Sequence, residues 1–255
     1  MRHHLVAPFM LIVFASALSG CGDDSSTAAP AQPGTIDVTL ADHTVTTSVS
    51  TVKAGPVVFD IRNDSTSTVH EFVVVKTDLD PSELPVDSDG RVDEKGKGLT
   101  FVDEREDIKP GAQTTLPLNL DAGKYVLLCN LDDHYTRKMY STLTVTGTAP
   151  TNAPGTTAAS DYKIVDSATV SAGLNELKSS LNDPASITKA TIDGAYKRWA
   201  TFEGTVRKND TDTYLDMEDG LAKIRRGVLD DDQQKVADGV ALFVTASDKY
   251  LASNP

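Results

Sequence analysis

Three residues with metal-binding side chains, Cys129, His134 and Met139, follow one another with four residues between each pair. A fourth, His70, lies upstream in the apolar run Val69-His70-Glu71-Phe72-Val73-Val74-Val75. One thiolate, two imidazoles and one thioether are the donors of a mononuclear blue-copper site. A soft thiolate and imidazoles suit copper in both oxidation states. A weak, long thioether contact helps set the potential, and a site of fixed shape moves little when an electron arrives or leaves.

Such donors need rigid backbone to hold them. Ile36, Val38 and Leu40 alternate with polar residues, as do Phe59 and Ile61, then Leu116, Leu118 and Leu120, then Leu143 and Val145. This is the period of half-buried strands. Phe72 to Val75 is a denser run, expected at the centre of a sandwich. Turn signals at Ala54-Gly55-Pro56, Asn63-Asp64-Ser65 and Pro110-Gly111 separate the strands. Many short strands without a helical period predict an all-β sandwich over residues 34–147. His70 falls on one strand and Cys129 at the end of another, with His134 and Met139 on the loop that follows. His43 reads as a solvated strand-end histidine.

The stretch 34–147 resembles the cupredoxins, and in the length of its ligand loop the rusticyanin and sulfocyanin subgroup. The resemblance runs through Val52-Lys-Ala-Gly-Pro-Val-Val-Phe-Asp-Ile-Arg-Asn63, His70 to Val75, Pro110-Gly111 and Gly123-Lys-Tyr-Val-Leu-Leu-Cys129. It implies a Greek-key sandwich with one type 1 copper ion, His70, Cys129 and His134 as equatorial ligands, and Met139 as the axial one. It also implies that electrons leave through the His134 imidazole edge, near the surface beside Leu131 and Tyr135. Asp133 and Lys138 stand where relatives commonly carry Gly, the residue used where backbone takes positive φ. Asp132 and Asp133 would favour a redox partner with a basic docking face and a salt-sensitive association.

Composition bounds the remainder. A chain of 255 residues accommodates two modest domains, and 39% hydrophobic with 24% charged residues is ordinary for globular protein. A net charge of −13 argues against nucleic acid as a partner. Residues 1–20 read as a lipoprotein signal peptide. Arg2 precedes an apolar stretch too short to span comfortably as a helix, and Leu18-Ser-Gly-Cys21 resembles a bacterial lipobox. A lipid on Cys21 would anchor the exported chain to the outer face of a membrane, in the periplasm or at the cell surface. Cys129 would then be an unpaired thiol in an oxidising compartment, which metal ligation accounts for. Residues 21–33, rich in Asp, Ser, Ala and Pro, read as a flexible tether.

Residues 78–107 read as a solvated acidic insertion between strands. Asp87-Ser-Asp-Gly90 in it lacks the spacing of a full calcium loop. Residues 148–160 are small, polar and Pro-containing, a linker. Beyond it the period becomes helical. Val170, Leu174, Leu177 and Leu181 form one stripe; Ala195, Trp199, Phe202 and Val206 a second; Tyr214, Met217, Leu221, Ile224 and Val228 a third; and Val236, Val240, Phe243, Ser247 and Tyr250 a fourth. Four stripes with short breaks predict an antiparallel four-helix bundle over residues 161–253, with Asp183-Pro184 as a cap and first turn. The bundle contains no His or Cys, which excludes a His-ligated haem or a Glu-x-x-His di-iron site.

Trp199-Ala-Thr-Phe-Glu203, Val206-Arg-Lys-Asn-Asp210 and Tyr214-Leu-Asp-Met-Glu218 are similar to helical segments of imelysin-like domains, which implies an iron-uptake context and a possible metal permease as partner. Glu203 and Glu218 read first as solvated carboxylates or as buried ion-pair partners of Arg207 or Arg225, and second as carboxylate metal contacts, the oxygen-rich iron site that a metal-uptake role would require. No nucleophile–base pair and no Gly-rich phosphate loop is present, so no hydrolase or transferase activity is expected. The expectation is a membrane-anchored, copper-binding electron carrier rather than an enzyme. Metal uptake and a copper-holding interaction protein are the alternatives.

Overall fold

The computed structural model describes residues 34–148 and 162–254. The signal peptide, Cys21, the tether and nearly all of the linker lie outside the described residues. Nine strands come first: β1 (Gly34–Ala41), β2 (Thr44–Thr47), β3 (Thr51–Lys53), β4 (Gly55–Asn63), β5 (His70–Thr77), β6 (Leu99–Ile108), β7 (Gln113–Leu120), β8 (Gly123–Leu128) and β9 (Tyr140–Thr146). They form two mixed sheets, one ordered β2-β1-β4-β7 and the other β3-β9-β8-β5-β6. β1 runs parallel to β4 and β3 parallel to β9, while the other pairs are antiparallel.

The alternating residues of β1, β4 and β7 meet Phe72, Val74, Tyr125, Leu127, Leu143 and Val145 of the other sheet in one core. Period-2 alternation places every second side chain on that inner face. β5 reads as a continuous apolar run because both of its faces are covered. Phe72 and Val74 enter the sandwich core, and Val73 and Val75 pack outward on Leu84, Val92, Val126, Leu128 and Tyr135.

That outer cluster corrects the expected solvated insertion. Leu84 and Val92 are buried, and Leu99–Ile108 is strand β6, paired antiparallel with β5. Its Asp103 and Glu104 are buried as well. Acidic composition concealed a strand, paired with β5, whose buried acids find their partners on the helices.

Five α-helices follow instead of the four expected: α1 (Ser167–Ser180), α2 (Lys189–Trp199), α3 (Glu203–Asn209), α4 (Thr211–Asp230) and α5 (Gln233–Ser253). Asp183-Pro184 does not open a long helix. It caps a single 3-10 turn, and α2 starts after Thr188, which closes a capping box with Thr191. The stripe from Ala195 to Val206 is divided between two helices because the chain leaves helical geometry at Phe202, whose φ is −147°. Trp199 and Phe202 both remain fully buried, their rings edge to face at 5.3 Å, so the 4, 3, 4 spacing survives the break. Gly173 of α1 makes room for Phe202: a Cβ there would sit 2.3 Å from the ring. The longest helices, α4 and α5, pack through close backbone approach. A Cβ on Gly239 would lie 2.7 Å from the Ile224 nitrogen.

The helices pack directly on β6 and on the insertion. Arg207 of α3 pairs with Asp103 at 2.6 Å, and the Tyr214 hydroxyl donates to Glu104 at 2.7 Å. Lys235 reaches Asp89 at 2.6 Å, Arg91 reaches Asp219 at 3.3 Å, and Arg226 reaches Asp132 at 3.1 Å. Among the described residues no helix is long and apolar enough to cross a membrane.

Candidate metal centre

Strands and one tight loop bring the donors together. His70 is the first residue of β5, and Cys129 follows the last residue of β8. The hairpin register pairs Leu128 with Tyr140, so both ends of the intervening loop return to the same place. Inside it, the Cys129 N–H donates to the Met139 carbonyl at 3.1 Å, and the Met139 N–H donates to the His134 carbonyl at 3.0 Å. These two bonds fix Met139 beside Cys129 in the sandwich core, where both are fully buried. Asp133 and Lys138 adopt φ of 62° and 70°. The loop therefore takes the left-handed geometry at both positions without glycine, at a cost in backbone energy.

His70, Cys129 and His134 each offer a donor atom within 4.8 Å of the others. Cys129 Sγ lies 3.3 Å from His134 Nδ1 and 3.7 Å from His70 Nδ1. On the other side of the His70 ring, Nε2 lies 2.7 Å from Ser65 Oγ. The turn that holds Ser65 is itself tied down. Asn63 donates its amide to the Thr68 and Ile108 carbonyls at 2.8 and 2.7 Å and accepts from the Ser65 N–H at 2.9 Å. The Glu71 N–H points at Cys129 Sγ from 3.4 Å. Ser65 and the Glu71 amide were missed in the sequence, where only a general turn signal at Asn63-Asp64-Ser65 marks the first.

Electrostatics suit a cation. Burial lowers the His70 pKa, and burial together with the neighbouring His70 and His43 brings His134 down to about 4. Both rings are therefore neutral near pH 7, with a lone pair to offer. Burial pushes the Cys129 thiol up, so a thiolate there requires a compensating positive charge. One sulfur and two neutral imidazole nitrogens in a preformed cluster fit a copper ion in either oxidation state.

The surroundings differ from expectation in two places. Tyr135 does not border an exposed imidazole. It is buried, its hydroxyl accepting from the Leu84 N–H at 2.8 Å and donating to the Pro81 carbonyl at 3.0 Å, so it anchors the insertion. Asp132 is engaged by Arg226 of α4, and Asp133 is the exposed member of the pair. His43 is exposed, as expected of a strand-end residue, yet its ring stands edge-on to His134 at 5.7 Å. His134 is half-buried and, with Leu131, opens onto a cleft of about 900 Å³ whose far wall is built by the helices.

Glu203 and Glu218 are neither solvated nor paired with Arg207 or Arg225. Both are buried, and the arginines pair with Asp103 and Asp107 instead.

A mixed two-sheet sandwich with a His-Cys-His cluster at one end of it defines a class. The chain belongs to the cupredoxin-like domain family, whose model matches residues 8–145, more than half of its length. No curated protein matches the chain in sequence. Solved structures are similar to it over less than half of this chain. Reduced auracyanin from the photosynthetic bacterium Roseiflexus castenholzii is 21% identical, with 46% of this chain and 100% of that chain covered and a TM-score of 0.35. Auracyanin A, a blue copper protein of Chloroflexus aurantiacus, is 19% identical over 45% of this chain and 100% of its own, with a TM-score of 0.31. Rusticyanin from Thiobacillus ferrooxidans is 16% identical over 45% and 79%, with a TM-score of 0.32.

Proposed function

We propose that this chain is an exported, lipid-anchored blue-copper protein that carries single electrons and is not itself an enzyme. His70, Cys129 and His134 are the equatorial ligands of one copper ion and Met139 the axial one. The observation that carries this reading is the Cys129 sulfur, buried within 3.3 and 3.7 Å of two imidazole nitrogens. When bound, copper supplies a one-electron couple. The chain's own residues keep its surroundings constant. Ser65 and the Glu71 amide hold the His70 ring and the Cys129 sulfur, and the backbone bonds of the loop hold His134 and Met139. Donors held in this way move little between oxidation states. Electrons pass at His134 beside exposed His43, and exposed Asp133 favours a redox partner with a basic face. The lipobox ending at Cys21 and the tether behind it support attachment to the outer face of a membrane.

The test is the optical and EPR spectrum of the full chain loaded with Cu(II). An intense thiolate-to-copper absorption with narrow hyperfine splitting, abolished by Cys129→Ser, is expected. A pale, ordinary Cu(II) spectrum, or a blue one that survives Cys129→Ser, overturns the assignment.

A further inference from the structure

The cleft that His134 opens onto is lined by a second group of ligating side chains as well. Glu106 comes from near the end of β6, Glu203 is the first residue of α3, and Glu218 lies within α4. Each offers a carboxylate oxygen within 4.8 Å of the other two. Glu203 is 8% exposed and Glu218 6%. Three carboxylates so close repel one another, and burial removes the water that would screen them.

Neighbouring side chains compensate them only in part: Arg207 and Arg105 act on Glu203 through space, without an ion pair. Among the described residues, nothing donates a hydrogen bond to Glu203 and no cationic side chain comes within ion-pair distance of it. Arg207 is committed to Asp103 at 2.6 Å, Arg105 donates to the Glu104 and Thr115 carbonyls, and Arg225 turns to Asp107. Glu218 accepts a hydrogen bond from the Trp199 indole and lies within hydrogen-bond reach of Glu106. Glu203 is thus an unpartnered carboxylate, more than nine-tenths buried, facing into the cleft beside two others.

We propose that Glu106, Glu203 and Glu218 bind a hard divalent cation, of the manganous, ferrous or calcium class, at a site separate from the sulfur-containing centre. Oxygen-only donors suit such hard ions, whereas the thiolate and imidazoles of the Cys129 centre suit copper. The cleft leaves room for water to complete the coordination. Donors on three different elements, one of them oriented by Trp199, give the site a fixed shape. The cation also accounts for two buried acids and a half-buried one gathering where β6 meets the helices. The alternative is that protons neutralise them: burial and the neighbouring Glu104 push Glu203 up to about 7, and burial and the other carboxylates hold Glu106 and Glu218 well above the usual range.

Trp199 is the chain's only tryptophan and touches the cluster through Glu218, so it serves as an antenna for a luminescent hard cation. Tb(III) is titrated into the full chain with excitation of Trp199. Sensitised emission should rise to saturation at about one equivalent, fall when Mn(II) is added, and need at least about 10-fold more Tb(III) in Glu203→Gln. Cys129→Ser should keep the signal. If Glu203→Gln does not fold, Glu106→Gln, at a half-buried strand position, gives the same readout. Absence of sensitised emission, emission unchanged in Glu106→Gln and in folded Glu203→Gln, or loss of emission in Cys129→Ser would each overturn the proposal.

Discussion

Ser65 Oγ lies 2.7 Å from His70 Nε2, across the ring from the Nδ1 that faces Cys129 Sγ. A serine five residues before the histidine therefore decides which ring nitrogen is left to bind a metal and how the ring is turned. Ser65→Ala removes that partner while leaving Nδ1 in place. Copper affinity is expected to fall by about 10-fold, read in a competition titration against a chelator. An unchanged affinity would show that the Asn63 turn and the sheet orient the ring without the hydroxyl.

Lys138 occupies the left-handed region at φ 70°, immediately before Met139. Lys138→Gly should be tolerated, because the strain relieved offsets the extra freedom of glycine in the unfolded chain. Lys138→Val should destabilise by about 1–2 kcal/mol in denaturant unfolding, since a β-branched side chain fits this region poorly. A valine as well tolerated as glycine would mean that the loop relaxes to another shape.

Arg207 joins the helices to β6. Its guanidinium meets Asp103 at 2.6 Å and lies 5.0 to 5.5 Å from the ring centroids of Tyr162, Phe101 and Tyr214. Arg207→Ala leaves buried Asp103 with only Arg105, at 3.9 Å, and should cost about 3 kcal/mol. A loss below about 1 kcal/mol on chemical unfolding would mean that water reaches the pair.

Asp210 caps α4, accepting from the Thr213 hydroxyl at 2.6 Å and the Thr213 N–H at 3.0 Å. The hydroxyl hydrogen bond, ahead of the backbone one, holds the Asp210 carboxyl below its ordinary 3.8. A carboxyl with a lowered folded pKa stabilises above its unfolded pKa and loses that contribution as pH falls through the folded one. Asp210→Ala should therefore lower stability by about 1 kcal/mol at neutral pH. The gap between mutant and wild type should narrow in thermal melts below pH 4. A gap constant with pH would assign the effect to helix propensity.

The loop holding Cys129, His134 and Met139 was legible because its donors are close in sequence and lie between two strands of clear period. A short hairpin loop leaves its ends together whatever the rest of the chain does. His70 stood out for a different reason, as a lone imidazole in an apolar strand. The helices announced themselves by their stripes, but stripe spacing runs through a short break undisturbed, so the turn at Phe202 between α2 and α3 left no trace in the pattern.

By itself, then, the sequence determined the two-part organisation into strands and helices and the types of donor available. Both follow from local periodicity and side-chain chemistry, which act over a few residues. Tertiary structure alone decided that the acidic segment ending at Ile108 is a strand, that Ser65 turns the His70 ring, and that Asp132 is spent on Arg226. It alone gathered Glu106, Glu203 and Glu218 from β6, α3 and α4. Residues so far apart become neighbours only when the helices settle on the sheet. What drives that packing is buried apolar and ionic surface, which no single stretch of chain encodes.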